Sequence, residues 1–243
     1  VQKFWIIAAA VLWGAGTGLF IPRAAYRLSV PPEAPSRTTC PAGHAFTGLA
    51  NGWLGRARCT DGDAYGPSTT ALSAISTAFC AVLAAAVGDH PELVVWLLLI
   101  PIGVLLATVD LMVQRLPDVL TLPLAVISLV LLAVAAQLPG ADGGWRTALL
   151  GSVVLGSFCV MLLLSSPASF GFGDVKLALT IGAVTGWYGW GILLAGTFAG
   201  FVLFTLYGLS LMAARRAHRT TALPLGPFLL AGAGVGVLLG SVH

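Results

Sequence analysis

The chain has 243 residues, 58% of them hydrophobic and only 9% charged, with a formal net charge of +3 and a mean hydropathy of +0.95. A soluble domain carries about 25% charged residues, so this chain lacks the charge to coat a water-facing surface, and a soluble enzyme is excluded. The small, dispersed net charge excludes nucleic acid as a partner, and the cysteines at 40, 59, 80 and 159 form no disulfide framework.

Apolar runs predict membrane-spanning helices over 4–22, 71–88, 93–113, 119–138, 146–165, 174–187, 189–212 and 222–241. The expected fold is all-α and polytopic, with about eight transmembrane helices at about 20 residues each. That leaves no room for a large soluble domain. The division expected is 1–22 as the first helix, 23–70 as a long hydrophilic loop, and 71–243 as a seven-helix membrane domain.

Lysine and arginine set the orientation. Arg23, Arg27, Arg37, Arg56, Arg58, Arg115, Lys176, Arg215, Arg216 and Arg219 fall in alternate connections, against only Lys3 and Arg146 in the others. The richer side is the cytoplasm, which places the long loop inside and both termini outside. A competing reading makes 4–22 a cleaved signal peptide behind Lys3, but it would export the five-arginine loop. Gly14 with Gly18, and Gly232 with Gly236 and Gly240, recur every four residues and are read as helix-packing faces.

A carboxylate at a spanning helix costs several kcal/mol and is by default a functional candidate. Asp110 lies near the cytoplasmic end of the third span and Asp174 opens the sixth, in Gly171-Phe-Gly-Asp-Val-Lys-Leu177. At matched depth the two can act as a pair that shares one proton, as in an aspartic protease: the ionised member activates water and the protonated one polarises the carbonyl. Gly171 and Gly173 leave room for an extended substrate backbone. The alternative from burial and spacing is structural, with Asp110 and Asp174 paired to Arg115 or Lys176, or part of a proton or ion pathway.

Four segments together resemble the type IV prepilin peptidase family of membrane aspartic endopeptidases. Gly171 to Leu177 is similar to its GxGDxKL signature, Asp110 to Leu124 to its first aspartate motif, Leu223 to Ala231 to its C-terminal Pro-Phe-Gly-Pro segment, and Gly18 to Leu28 to its run ending in Tyr-Arg-Leu. The resemblance implies that Asp110 and Asp174 are catalytic and that type IV prepilin or pseudopilin leaders are cut at the cytoplasmic face. Gln114, sharing a helix face with Asp110, and Lys176 are candidate substrate-binding residues beside Gly171 and Gly173. Lys176 can also tune the pair or anchor lipid phosphate, and Asp118 is read as a cap of the fourth span.

Many family members carry two Cys-x-x-Cys pairs in the first loop. This chain has Cys40-Pro-Ala-Gly43 and Cys59-Thr-Asp-Gly62 instead, with His44 as the nearest substitute ligand, so no metal site is expected and zinc is not expected as a cofactor. The peptidase needs no cofactor. S-adenosylmethionine enters only if the loop methylates the new N-terminus, which the altered cysteines put in doubt. Cys80 and Cys159 are read as packing residues. A presenilin-like or signal-peptide-peptidase-like GxGD protease is the runner-up, disfavoured by Val109 before Asp110 and by Leu223 to Phe228 in place of Pro-Ala-Leu. A transporter built on an acidic pair is the third reading, disfavoured by the absence of a visible repeat. The expected setting is the bacterial cytoplasmic membrane, with prepilins and lipid as partners.

Overall fold

The structure is a computed structural model. It describes all residues except 32–33, 167–169, 217, 219–220 and 243; Arg219 of the charge count lies outside the described residues. Its elements are α1 (Gln2–Gly18), α2 (Ile21–Leu28), the left-handed turn α3 (Leu49–Gly52), α4 (Thr69–Val87), α5 (Glu92–Val113), α6 (Asp118–Ala135), α7 (Trp145–Ser165), α8 (Phe172–Gly186), α9 (Trp190–Ala213) and α10 (Gly226–Gly240). Helix covers most of each of the eight apolar runs, and the protein is an all-helical polytopic membrane protein.

Among the described residues six segments are long and apolar enough to cross a membrane: Gln2–Leu28, α4, α5, α6, α7 and α9. The other two apolar helices, α8 and α10, are shorter, with 15 residues each. At 1.5 Å per residue they reach about 22 Å, short of a hydrocarbon layer of about 30 Å.

The first helix departs from expectation. It pauses at residues 19–20 and restarts as α2, with Pro22 in its first turn, where the missing N–H costs nothing. Arg23 and Arg27 are therefore helical, and the loop proper begins at Ser29.

The chain divides into two compact units, residues 1–89 with 96–115, and residues 90–95 with 116–243. Within the first unit α1 closes on α4. A side chain at Gly14 would meet the backbone of Ser76 and Thr77, and one at Gly18 would meet Ser73, so glycine at both positions lets the two backbones touch. Ser73 Oγ donates to Ala15 O at 3.1 Å across the contact, and Trp13 Nε1 donates to Leu97 O at 2.7 Å.

The loop of this first unit is ordered around a small core of Cys40, Ala57 and Tyr65, joined by Tyr26, Phe46 and Cys59. Arg56 and Arg58 are exposed, but Arg23, Arg27 and Arg37 are turned inward. Arg27 lies over Trp53 and Phe46 and donates to Arg37 O and Asn51 O; Arg23 lies over Phe46 and donates to Thr47 O; Arg37 lies over Tyr26 and donates to Tyr26 O. Cation–π stacking and carbonyl acceptors replace the hydration these cations lose.

In the second unit α8 is the central helix, packed by α6, α7, α9 and α10. Val175 to Ala178 and Thr180 to Gly186 are all buried, so the helix needs no separate apolar face. Small residues bring its neighbours close. A side chain at Gly182 would run into the Gly151 carbonyl of α7, and one at Gly232 of α10 into Gly196 and Gly200 of α9. The glycine faces expected from the four-residue spacing are packing faces. Large apolar side chains such as Val126, Leu164, Leu194 and Phe198 point outward, the pattern of a protein whose surrounding solvent is lipid.

Candidate active site

Asp174 occupies the third position of α8, and Gly171 caps the helix with φ −90 and ψ 146. The Asp174 N–H donates to Gly171 O at 3.1 Å and the Gly171 N–H donates back to Asp174 Oδ2 at 3.3 Å. This reciprocal arrangement satisfies two groups that a helix start otherwise leaves unpaired, and it fixes the carboxylate at the positive end of the helix dipole. The side chain is half-buried.

The two glycines of the motif have different surroundings. Gly171 is exposed, and a Cβ there would lie 3.3 Å from Asp174 Oδ2, crowding the carboxylate. At Gly173 a Cβ would lie 2.9 Å from Leu116 Cβ. Glycine at 173 thus lets Leu116 pack against the backbone of α8.

Lys176 is buried, and its Nζ lies 2.6 Å from Asp118 Oδ1 and 4.4 Å from the centre of the Phe172 ring. A long cation on a buried helix takes the nearest accessible carboxylate, and that is Asp118, at the first position of α6, rather than Asp174. Among the described residues Asp174 enters no ion pair. The structural reading in which Lys176 neutralises Asp174 is thereby removed. Asp118, read from sequence as a cap, makes no side-chain capping bond; it holds Lys176 instead. Pairing between residues so far apart in sequence left no local signal beyond the rule that a cation inside a membrane bundle needs a partner.

Removing either partner has unequal consequences. Asp118→Asn leaves the Lys176 ammonium buried and unpaired, whereas Lys176→Met leaves Asp118, 64% exposed, in contact with water. The expected result is a loss of about 1–2 kcal/mol for Asp118→Asn and clearly less for Lys176→Met, read as detergent-solution thermal unfolding of the two variants.

Asp110 lies in the last turn of α5 in the first unit and is 4% exposed. The helix ends three residues later. Gln114 has φ 50, the left-handed conformation that closes a helix, and its N–H donates to Asp110 O at 2.8 Å. The expectation that Gln114 continues the helical face of Asp110 is corrected for this reason. Arg115 Nη1 donates to Pro31 O at 2.8 Å, which ties the chain after α5 to the segment after α2.

In the loop, Cys40 and Cys59 are brought together by two similar turns. Cys40 N–H donates to His44 O and Gly43 N–H to Cys40 O; Cys59 N–H donates to Asp63 O and Gly62 N–H to Cys59 O. Each turn pairs its ends by a bridge, Thr39 with Ala45 and Arg58 with Ala64. The Cys59 thiol holds the Cys40 thiol down to about 7, helped by the His44 and Ala42 backbones, and Cys59 is pushed up by the same contact. His44 Nδ1 lies 3.6 Å from Cys40 Sγ and 3.8 Å from Asp61 Oδ2. Gly43 and Gly62 occupy the places where two further thiols would complete a tetrahedral set, so the residues present do not fit a closed structural zinc site. Alkylation of Cys40 by iodoacetamide is expected to rise with pH through a midpoint near 7, and Cys59→Ala is expected to move that midpoint up toward the ordinary thiol range.

The type IV leader peptidase family model matches residues 96–215, a stretch that holds both Asp110 and Asp174. A prepilin leader peptidase/N-methyltransferase of Aeromonas salmonicida (strain A449) is 30% identical over 223 residues, covering 88% of this chain and 74% of that protein. The protein of the same name from Aeromonas hydrophila is 32% identical over 225 residues with the same coverage, and the one from Pseudomonas aeruginosa is 32% identical over 130 residues, covering 52% of this chain and 43% of its own length. No solved structure matches the chain. With the aspartate motifs inside the matched region and the similarity running through nearly all of the helices, the chain belongs to the type IV leader peptidase family.

Proposed function

We propose that this protein is a membrane aspartic endopeptidase that removes the leader of type IV prepilin or pseudopilin precursors at the cytoplasmic face of the bacterial cytoplasmic membrane, with Asp110 and Asp174 as its catalytic pair. The observation that carries this reading is the state of Asp174. It is a half-buried carboxylate held at a helix N-terminus inside a GxGD segment, and the cation two residues away is committed to Asp118. A carboxylate kept without a neutralising partner in a membrane protein is retained for chemistry.

The ionised aspartate takes a proton from water as the water oxygen bonds to the scissile carbonyl carbon, while the protonated aspartate donates a hydrogen bond to the carbonyl oxygen. Collapse of the tetrahedral species breaks the C–N bond, and the proton passes to the departing amine. Gly171, exposed beside the Asp174 carboxylate, is where a substrate backbone can approach without a side chain in the way.

Methyl transfer, the second activity in the relatives' names, is not part of this proposal. The aromatic faces of the loop at Phe46, Trp53 and Tyr26 are covered by the guanidinium groups of Arg23, Arg27 and Arg37. Those cations occupy one face of each ring and compete there with the sulfonium of S-adenosylmethionine.

The test uses purified protein in detergent with a prepilin bearing a Gly-Phe junction, followed by intact mass of the product with and without S-adenosylmethionine. Release of the leader after the glycine, with no added methyl group in either tube, is the expected result. An uncut prepilin would overturn the peptidase reading, and a product heavier by one methyl group would overturn the peptidase-only reading.

A further inference from the structure

A cluster outside the proposed peptidase site, passed over in the sequence, gathers three potential metal ligands. His90 precedes α5, Glu92 is its first residue, and Asp142 lies in the connection from α6 to α7; all three belong to the second unit. One nitrogen or oxygen from each comes within 4.8 Å of the others. The Gly144 N–H donates to Trp187 O at 2.9 Å, so this connection meets the C-terminal end of α8. Asp174 sits at the opposite end of that helix, about 20 Å away at 1.5 Å per residue.

Glu92 is fully buried. Its Oε1 accepts the Asp142 N–H at 3.3 Å, but Oε2 is buried with no hydrogen-bond donor. A carboxylate withdrawn from water with half of its acceptor capacity unmet is strongly unfavourable unless a cation compensates it. The histidine points to the same conclusion. His90 Nδ1 lies 2.6 Å from Gly140 O, which can only accept, so Nδ1 carries a hydrogen. In a neutral ring Nε2 then has only a lone pair, yet it faces Asp142 Oδ2 at 3.2 Å. Two acceptors at that separation need a positive centre between them. A ring whose Nδ1–H is anchored on a backbone carbonyl while Nε2 faces outward is the arrangement seen in metal-bound histidines.

We propose that His90, Glu92 and Asp142 bind a divalent transition-metal ion of the zinc class, which ties the start of α5 to the α6–α7 connection. One imidazole and two carboxylates suit this class, whereas magnesium and calcium favour oxygen alone. Ligand distances of about 2.0–2.2 Å to a shared ion require the three atoms to lie about 3.3–3.6 Å apart, within small side-chain adjustments of the observed group. The two carboxylate charges match the charge of the ion. Because the ion binds the folded arrangement and not the unfolded chain, it stabilises the fold. By the distribution of basic residues the cluster lies on the arginine-poor, extracytoplasmic side, where it meets metal ions of the surroundings.

The test is equilibrium dialysis of the full chain against zinc chloride, with bound metal read by elemental analysis and the cobalt form read by its absorption spectrum. Parent protein and the variants Asp142→Asn and His90→Gln are compared, each with Cys40 and Cys59 either intact or changed to serine. Both varied ligands are partly exposed, so the variants retain their fold. One bound zinc per chain that persists without the loop thiols, is lost in Asp142→Asn and His90→Gln, and raises the unfolding temperature reversibly to chelator is the expected result. Equal zinc retention in parent and variants, or none in the parent, would overturn the proposal; the latter would mean that His90 is an imidazolium bridging Gly140 and Asp142.

Discussion

Replacing Asp174 by Asn is expected to reduce prepilin cleavage by about 10³-fold or more, the scale of a lost acid–base group, with the loss in kcat rather than KM. Asn is close in shape, and its side-chain oxygen can still accept the Gly171 N–H that Asp174 Oδ2 accepts at 3.3 Å. Only the interaction of the charge with the helix dipole is lost, about 0.5 kcal/mol. The protein therefore folds and binds substrate but cannot activate water. Asp110→Asn is expected to behave alike, because a pair that shares one proton fails when either member loses the ability to ionise. Asp118→Asn separates chemistry from structure: it weakens the fold through Lys176 and leaves most of the turnover in the folded fraction. Initial cleavage rates beside thermal unfolding of each variant check all three.

The second large effect concerns packing. Gly182→Leu is expected to cost about 3 kcal/mol or more, enough to abolish monodisperse protein in detergent. The added side chain would collide with the Gly151 carbonyl and lie against Ser152 Cα, both backbone, so no rotamer change relieves the clash and α7 must move off α8. Because α8 carries Asp174 at its other end, residual folded protein is expected to lose cleavage as well. Gly191→Ala is the matched control. A side chain there meets nothing within 4 Å, and the expected change is within about 0.5 kcal/mol. Size-exclusion profiles and unfolding temperatures of the two variants distinguish these outcomes.

What was legible in the sequence was whatever depends on scarcity or on period. A chain with 9% charge makes Asp110 and Asp174 conspicuous, and apolar runs locate the helices because lipid demands continuous hydrophobicity. The four-residue glycine spacing is a local property of a helix face, so packing faces on α1 and α10 could be anticipated, but not their partners α4 and α9. Long-range or backbone-specific features were not legible. Lys176 could be seen to need a counter-charge, but its choice of Asp118 over Asp174 depends on how α6 packs on α8. Gln114 fits a helical pattern, and only the turn after Val113 places it in the left-handed region. Gly171 and Gly173 look equivalent in the motif, yet Leu116 lies against one and not the other. The first loop reads as hydrophilic, and its order arises from arginines stacking on aromatics many residues away.

Cleavage of prepilin leaders by this one chain with its two aspartates is tested by intact-mass analysis of a prepilin incubated with purified wild-type, Asp110→Asn or Asp174→Asn protein. The expected result is loss of the leader with the wild-type protein alone in the tube and intact precursor with either variant. Cleavage at the wild-type rate by either variant would rule out Asp110 and Asp174 as the catalytic pair.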